Sequence, residues 1–221
     1  MSEHKNKSTI FLQVMAHDLL APLTAIKWQT ELLHKNFKNK KKREEYLTGI
    51  ASSTELGISL AKHTHVASKV LSETYDGFVE TGNVSKHVEK SVGELLLQYE
   101  RHGLILQNDI EITEDTSEID VPLLRLYVWS IAKFFLTVTP PNTTVHAKGK
   151  KGENGYTVEF IAPNVHEKEK QVSDFDDGEA TEAFEQKYVF IELIKKIAPL
   201  IKTNPEVRVD GENLVVLTVF S

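Results

Sequence analysis

The chain has 221 residues, of which 40% are apolar and 26% charged, and this globular composition leaves room for one large domain or two small ones. The formal net charge of −6 argues against nucleic acid as a general partner. Cysteine is absent, which excludes disulfides, thiolate catalysis and Cys-ligated zinc and fits a reducing cytoplasm. Since no apolar run is long enough to span a bilayer, we expect a cytoplasmic protein with neither a nucleic-acid nor a membrane partner.

The first part of the chain predicts two long amphipathic helices. Apolar side chains recur at steps of three and four from Ser8 to Leu33, and Pro22 lies inside this period, where we expect a kink rather than an end. After the polar stretch 35–43, a second helix is predicted from Glu44 to Val70 with two apolar stripes. A hairpin cannot cover both stripes alone, so we expect two chains to form a homodimeric four-helix bundle. The expected shared core consists of Leu12, Met15, Leu19, Leu23, Leu47, Ile50 and Ala61.

The rest of the chain predicts alternating helices and strands. Helices are expected from Ser85 to before Gly103, from Val121 to Val138 and from Thr181 to Ile201, with an acidic loop over 164–180. Strands are expected at 104–110, 143–148, 156–161, 207–209 and 214–220. This order predicts an α/β sandwich with one helical layer. The predicted fold class is therefore α+β, with a helical hairpin in residues 1–74 and the sandwich in residues 75–221.

An exposed histidine beside a carboxylate is the strongest candidate for chemistry. His17 lies about 200° around the first helix from the buried stripe, so its imidazole should face solvent. A neutral imidazole can attack phosphorus through Nε2, and Asp18 is placed to accept the Nδ1–H and fix the tautomer. On geometry alone, a surface histidine without a function is the commoner explanation.

The segment around His17 resembles the phosphoacceptor box of two-component histidine kinases, in which His is followed by an acid, Leu, two variable residues, Pro and Leu. The matching residues are His17, Asp18, Leu19, Pro22 and Leu23. The resemblance extends over the whole chain. It implies that the hairpin is a dimerisation and phosphotransfer domain and that the second half has the fold of a kinase ATP-binding domain.

The nucleotide motifs of that family are missing from the second half. Phe134 stands where the family carries a magnesium-binding Asn. The segment 162–166 has no acid and no glycine where Asp-x-Gly-x-Gly is expected, and 188–191 has no glycine where a Gly-rich phosphate box is expected. ATP binding is therefore not expected.

A chain that combines a phosphoacceptor box with an ATP-binding domain lacking the nucleotide motifs resembles the ChpT-type dimeric histidine phosphotransferases. The resemblance implies a phosphorelay in which His17 accepts a phosphoryl group from the receiver aspartate of a hybrid histidine kinase and passes it to the receiver aspartate of a response regulator. It implies no cofactor and no metal in this chain, with magnesium only in the partner receiver. Two alternatives stay open: an ATP-dependent sensor kinase core, and a non-enzymatic protein that binds and blocks a response regulator.

The surface around His17 is expected to contact the receiver domains. If the hairpin turn centres near Asn39, positions near Ala61 lie opposite His17, and lysines there could steer an acidic receiver pocket. The expected contact residues are Leu20, Ala21, Thr24, Lys62 and Lys69. Since Ala21 offers neither hydroxyl nor amide to position a water, we expect no direct hydrolysis of a receiver's aspartyl phosphate.

Three other groups of charged or titratable residues have a simpler explanation than a functional site. The basic run over 35–43 lies about 30 Å from His17 along the helix and is expected to be a solvated turn. His63 and His65 point to different faces and make a poor metal pair. For the acidic residues Asp174, Asp176, Asp177 and Glu179, a disordered remnant of an ATP lid is an equally good explanation, whether this loop is ordered stays open, and its composition alone does not support metal binding.

Overall fold

The computed structural model describes residues 2–177 and 186–220. The chain forms two compact units that divide after Ser68, within the last turns of the second helix. The assignment of separate functions to residues 1–74 and 75–221 stays a prediction.

The first unit is a hairpin of two antiparallel helices, α1 (Ser2–Lys35) and α2 (Lys40–Leu71). Both are longer than predicted, and α1 continues past Pro22, whose ring packs 4.0 Å from the position that a Cβ on Gly57 would take. Further along the hairpin, a Cβ added at Gly49 would lie 2.4 Å from the side-chain amide nitrogen of Gln29. Glycine at this position leaves room for the Gln29 side chain.

The second unit contains the remaining elements. In chain order these are β1 (Val79–Gly82), α3 (Val84–Gly93), α4 (Leu96–Arg101), β2 (Ile105–Ile110), β3 (Ser117–Asp120), α5 (Val121–Val138), β4 (Thr144–Gly152), β5 (Gly155–Pro163), α6 (Lys168–Asp177), α7 (Gln186–Leu200), β6 (Glu206–Asp210) and β7 (Asn213–Phe220). A five-stranded sheet has the order β2-β4-β5-β7-β6, in which only the β2–β4 pair is parallel. A separate small sheet pairs β1 with β3, and neither of these strands was predicted.

The core of the second unit surrounds α5, whose bounds agree with the prediction. Asp120 caps this helix by accepting a hydrogen bond from the Leu123 backbone N–H at 3.0 Å, and Pro122 occupies its first turn. The Tyr127 hydroxyl lies 3.0 Å from that of Thr218 on β7, which ties the helix to the sheet. Among the described residues, one helix, α5, is apolar enough and long enough to cross a bilayer. Since 78% of it is buried inside the protein, it has the character of a core helix.

Two predictions for the second unit are wrong. The helix predicted from Ser85 to before Gly103 is broken between Gly93 and Leu96, and its N-cap is Asn83, which accepts from the Lys86 backbone N–H at 2.8 Å. The acidic stretch expected to be a loop instead forms α6 as far as residue 177. Glu179 and the predicted start of the last helix at Thr181 lie outside the described residues.

Candidate functional site

His17 lies on α1 with 86% of its side chain exposed, as its place on the helix predicted, whereas the Asp18 side chain is only 14% exposed. Asp18 Oδ1 lies 3.6 Å from His17 Nδ1. This separation exceeds the usual hydrogen-bond length of about 2.7–3.2 Å. The carboxylate therefore stands beside the imidazole without a hydrogen bond of normal length between them. The imidazole, as part of a side chain that is 86% exposed, is accessible to an incoming group.

A stripe of side chains follows His17 along the same face of α1. Ala21, Thr24 and Trp28 come four, seven and eleven residues after it, and these spacings place side chains on one helix face. Thr24 is exposed, Ala21 is half-buried, and Leu20 at the edge of the stripe is 61% exposed. The structure therefore groups the three predicted contact residues of α1 with His17.

Trp28 is the one member of the stripe that was not predicted from the sequence. It is 66% exposed, which is unusual for so large an aromatic side chain. Eleven residues correspond to three helical turns and about 16 Å, with a residual rotation of only about 20°. The spacing of Trp28 from His17 is visible in the sequence, but Trp28 lies beyond the phosphoacceptor-like box.

The packing of the hairpin decides which lysines lie level with His17. The contacts of Pro22 with Gly57 and of Gln29 with Gly49 place α2 residues 61 and 62 at the height of His17, as predicted. Lys62 is exposed at this height. Lys69 lies seven residues, or about 10 Å, further along α2, is half-buried and belongs to the second unit.

The neighbouring histidines of α2 do not form a pair. His63 is buried, with Nε2 3.5 Å from the Ser59 hydroxyl, whereas His65 is exposed. In the part of the chain that the structure describes, no three His, Asp or Glu side chains are arranged to hold a metal ion.

In the second unit, an aromatic cluster occupies the position at which the resemblance to histidine kinases would place a magnesium-binding Asn. Phe134 is fully buried, and its ring centroid lies 5.5 Å from that of Phe135 and 5.4 Å from that of Phe175. Phe135 stacks in turn on Phe160 at 6.0 Å. A phenyl ring has no lone pair for a metal, and its close packing leaves no room for another group at that point.

A buried ion pair connects α6 to the start of α7, next to this cluster. Lys187 Nζ lies 3.0 Å from Asp174 Oδ2 and donates to Gln171 Oε1 at 3.1 Å. The Tyr188 hydroxyl donates to the same Asp174 oxygen at 3.2 Å. Asp174 is therefore a structural partner of a buried amine, which for this residue favours an ordered segment over the disordered remnant that the sequence left open.

No protein-family model matches the chain, and no curated protein matches it. Solved structures do match. The histidine kinase AdeS from Acinetobacter baumannii has 12% identity and a TM-score of 0.51, covering 93% of this chain and 97% of that one. A bacterial phosphotransferase has 11% identity and a TM-score of 0.54, covering 96% and 95%. A histidine kinase from Burkholderia phymatum has 12% identity and a TM-score of 0.51, covering 93% and 96%. At these identities the likeness concerns the fold, and the chain has a histidine-kinase-like fold of a helical hairpin followed by an α/β unit.

Proposed function

We propose that this chain is a dimeric histidine phosphotransferase of a phosphorelay. The observation that carries the proposal is the exposure of His17, inside a phosphoacceptor-like box, on the hairpin of a histidine-kinase-like fold. In this proposal a hybrid histidine kinase receiver supplies the phosphoryl group and a response regulator receiver takes it. The protein acts in the cytoplasm, and magnesium is held by the receivers.

The transfer chemistry requires one nucleophilic nitrogen and one group that orients it. The lone pair on His17 Nε2 attacks the phosphorus of the receiver's aspartyl phosphate. The bond from phosphorus to the carboxylate oxygen breaks, and the carboxylate keeps the electron pair. Asp18 accepts the Nδ1–H and stabilises the positive charge that develops on the ring. The reverse steps then place the phosphoryl group on the second receiver.

The receiver docking surface in this proposal is the exposed face of α1 with one cation from α2. Leu20, Thr24 and Trp28 offer apolar and hydroxyl contacts, and Ala21 leaves space beside His17. Lys62 stands at the height of His17 and complements an acidic receiver pocket. A large exposed Trp is the type of side chain that contributes most to protein–protein affinity.

The proposed dimer interface consists of the apolar side chains that the hairpin leaves uncovered. Leu12, Leu23, Leu47 and Ile58 are each about half exposed or more. Such side chains gain stability when a second copy covers them. Met15 differs from the expectation because it is 1% exposed in the single chain and has almost no surface left to bury.

An ATP-dependent sensor kinase core is the second candidate, and the structural likeness to AdeS and to the B. phymatum kinase favours it. The fully buried Phe134 and its contact with Phe175 count against it, because they fill the place of a metal-binding side chain. The two candidates differ in their phosphoryl donor, and this difference can be measured.

The donor experiment supplies labelled phosphate in two forms. The protein is incubated with a panel of receiver domains that carry aspartyl phosphate made from labelled acetyl phosphate, and separately with labelled ATP and magnesium. We expect label to pass from a receiver to the protein and none to pass from ATP. Labelling by ATP without a receiver would establish the kinase instead, and failure of every receiver to label the protein would reject the phosphotransferase.

A further inference from the structure

The hairpin ends in a cluster of cations that the proposed transfer reaction does not use. We call residues 35–43 the basic tip. It contains Lys35, Lys38, Lys40, Lys41, Lys42 and Arg43. The tip has no acidic residue, although the whole chain has a net charge of −6. Its sign is therefore opposite to that of the protein as a whole, although Glu44 and Glu45 follow it directly, and such a cluster attracts anions.

The structure gives these cations no acidic partner. Within the described part of the chain, no ion pair involves any of the six side chains, and all but Arg43 are exposed. Four of them form the first turn of α2, where the positive end of the helix dipole disfavours cations by about 0.3–1 kcal/mol each. Asn39 already caps this helix by accepting from the Lys42 backbone N–H at 3.1 Å. Helix stability accounts for Lys35, in the last turn of α1, but not for the four cations at the start of α2.

An exposed aromatic ring lies at the apex of the tip. Phe37, in the turn between the helices, is 61% exposed. The Arg43 guanidinium lies 5.7 Å from its ring centroid and holds the ring at the apex by a cation–π contact. An apolar ring surrounded by lysines fits an anionic bilayer surface, where the cations meet lipid headgroups and the ring enters the interface.

The shape and composition of the tip favour a bilayer over nucleic acid. Five of the six cations are lysine, whereas the planar guanidinium of arginine suits bidentate contacts with nucleic-acid phosphates and bases. The tip is also the convex end of a two-helix hairpin, which can touch a plane but provides no groove for a strand.

We propose that the basic tip is a docking surface for an anionic lipid bilayer. The contact is peripheral and needs no membrane-spanning segment, and it revises the expectations that the tip is only solvated and that the protein has no membrane partner. The proposal stands on the tip alone and does not depend on phosphotransfer or on the dimer.

The experiment measures sedimentation of the full chain with vesicles of phosphatidylcholine containing phosphatidylserine, and with vesicles of phosphatidylcholine alone. At about 1 kcal/mol for each lysine near an anionic surface, Lys40→Gln, Lys41→Gln and Lys42→Gln together should weaken binding to the anionic vesicles on the order of 100-fold. Phe37→Ala should weaken it by a smaller factor that salt does not change. The control replaces two exposed lysines of the second unit, Lys148→Gln and Lys150→Gln, and should bind like wild type.

The wild-type protein should bind the anionic vesicles and should not bind the neutral ones. High salt should release it from the anionic vesicles. Absence of binding to anionic vesicles, equal binding to neutral vesicles, or full binding by the triple lysine variant would each overturn the proposal. Binding to duplex DNA without binding to vesicles would overturn it in favour of a nucleic-acid partner. The His17→Gln variant should bind vesicles normally, so failure here is distinguishable from failure of the phosphotransfer proposal.

Discussion

Replacing Leu23 and Leu47 by Gln removes apolar surface from the proposed dimer interface without touching the core of the single chain. Leu23 is 57% exposed and Leu47 is 49% exposed. Full burial of a leucine side chain is worth about 1.5–3 kcal/mol, so covering the exposed half is worth roughly 1 kcal/mol. Two such side chains in each of two protomers contribute about 3–6 kcal/mol, which corresponds to about 10²- to 10⁴-fold in the dimer dissociation constant.

Sedimentation velocity over a concentration series measures this effect directly. The wild-type protein should sediment as a dimer, and the double variant should become monomeric over the same range while its circular dichroism stays helical. Ile105→Gln with Leu200→Gln is a matched control, because both side chains are similarly exposed but lie on the second unit. A monomeric wild-type protein, or a double variant with the dissociation constant of wild type, would refute the interface.

Four further predictions follow from the site and the second unit. Titration calorimetry should detect no saturable binding of ATP with magnesium at millimolar concentration, and a micromolar dissociation constant would restore the kinase candidate. Trp28→Ala should weaken receiver binding by roughly 10- to 100-fold and leave the transfer rate at saturating receiver unchanged, whereas unchanged affinity would remove Trp28 from the docking surface. Asp18→Asn should slow transfer by roughly 10- to 1000-fold without abolishing it, and a wild-type rate would show that Asp18 does not orient the imidazole. Burial, and then the Arg125 charge, lower the pKa of His87, so the unfolded state binds more protons below about pH 6.5 and the free energy of unfolding should fall as pH decreases there. Urea unfolding of His87→Gln should show a shallower decline, and an identical decline would contradict this assignment.

The elements that the sequence predicted well are those with strong local signals. Helix α5 is strongly apolar, begins with a capping Asp120 and Pro122, and is followed by Pro140 and Pro141, so its bounds agree with the prediction. The position of Lys62 opposite His17 along the hairpin axis was also predictable, because two long antiparallel helices joined by a short turn have few possible registers.

The elements that the sequence did not predict depend on contacts between distant residues. Strands β1 and β3 have only four residues each and little buried surface. They are fixed by Asp120, which accepts from the Tyr75 hydroxyl at 2.9 Å and from the Phe78 backbone N–H at 2.6 Å. Helix α6 is mostly polar and depends on two contacts with other helices, those of Phe175 with Phe134 and of Asp174 with Lys187. The hydrophobic periodicity of a short segment does not reveal contacts with residues far away in the sequence.

The central claim is that His17 carries the phosphoryl group, and the most direct test locates that group on the chain. The protein is labelled from a phosphorylated receiver, and the label is tested for lability in acid and mapped by peptide mass spectrometry. We predict an acid-labile phosphate on the peptide that contains His17, its loss in His17→Gln, and its retention in His65→Gln, which removes another exposed histidine of the hairpin. Label of equal strength in His17→Gln, or a phosphate on any other of the 9 histidines, would contradict the account.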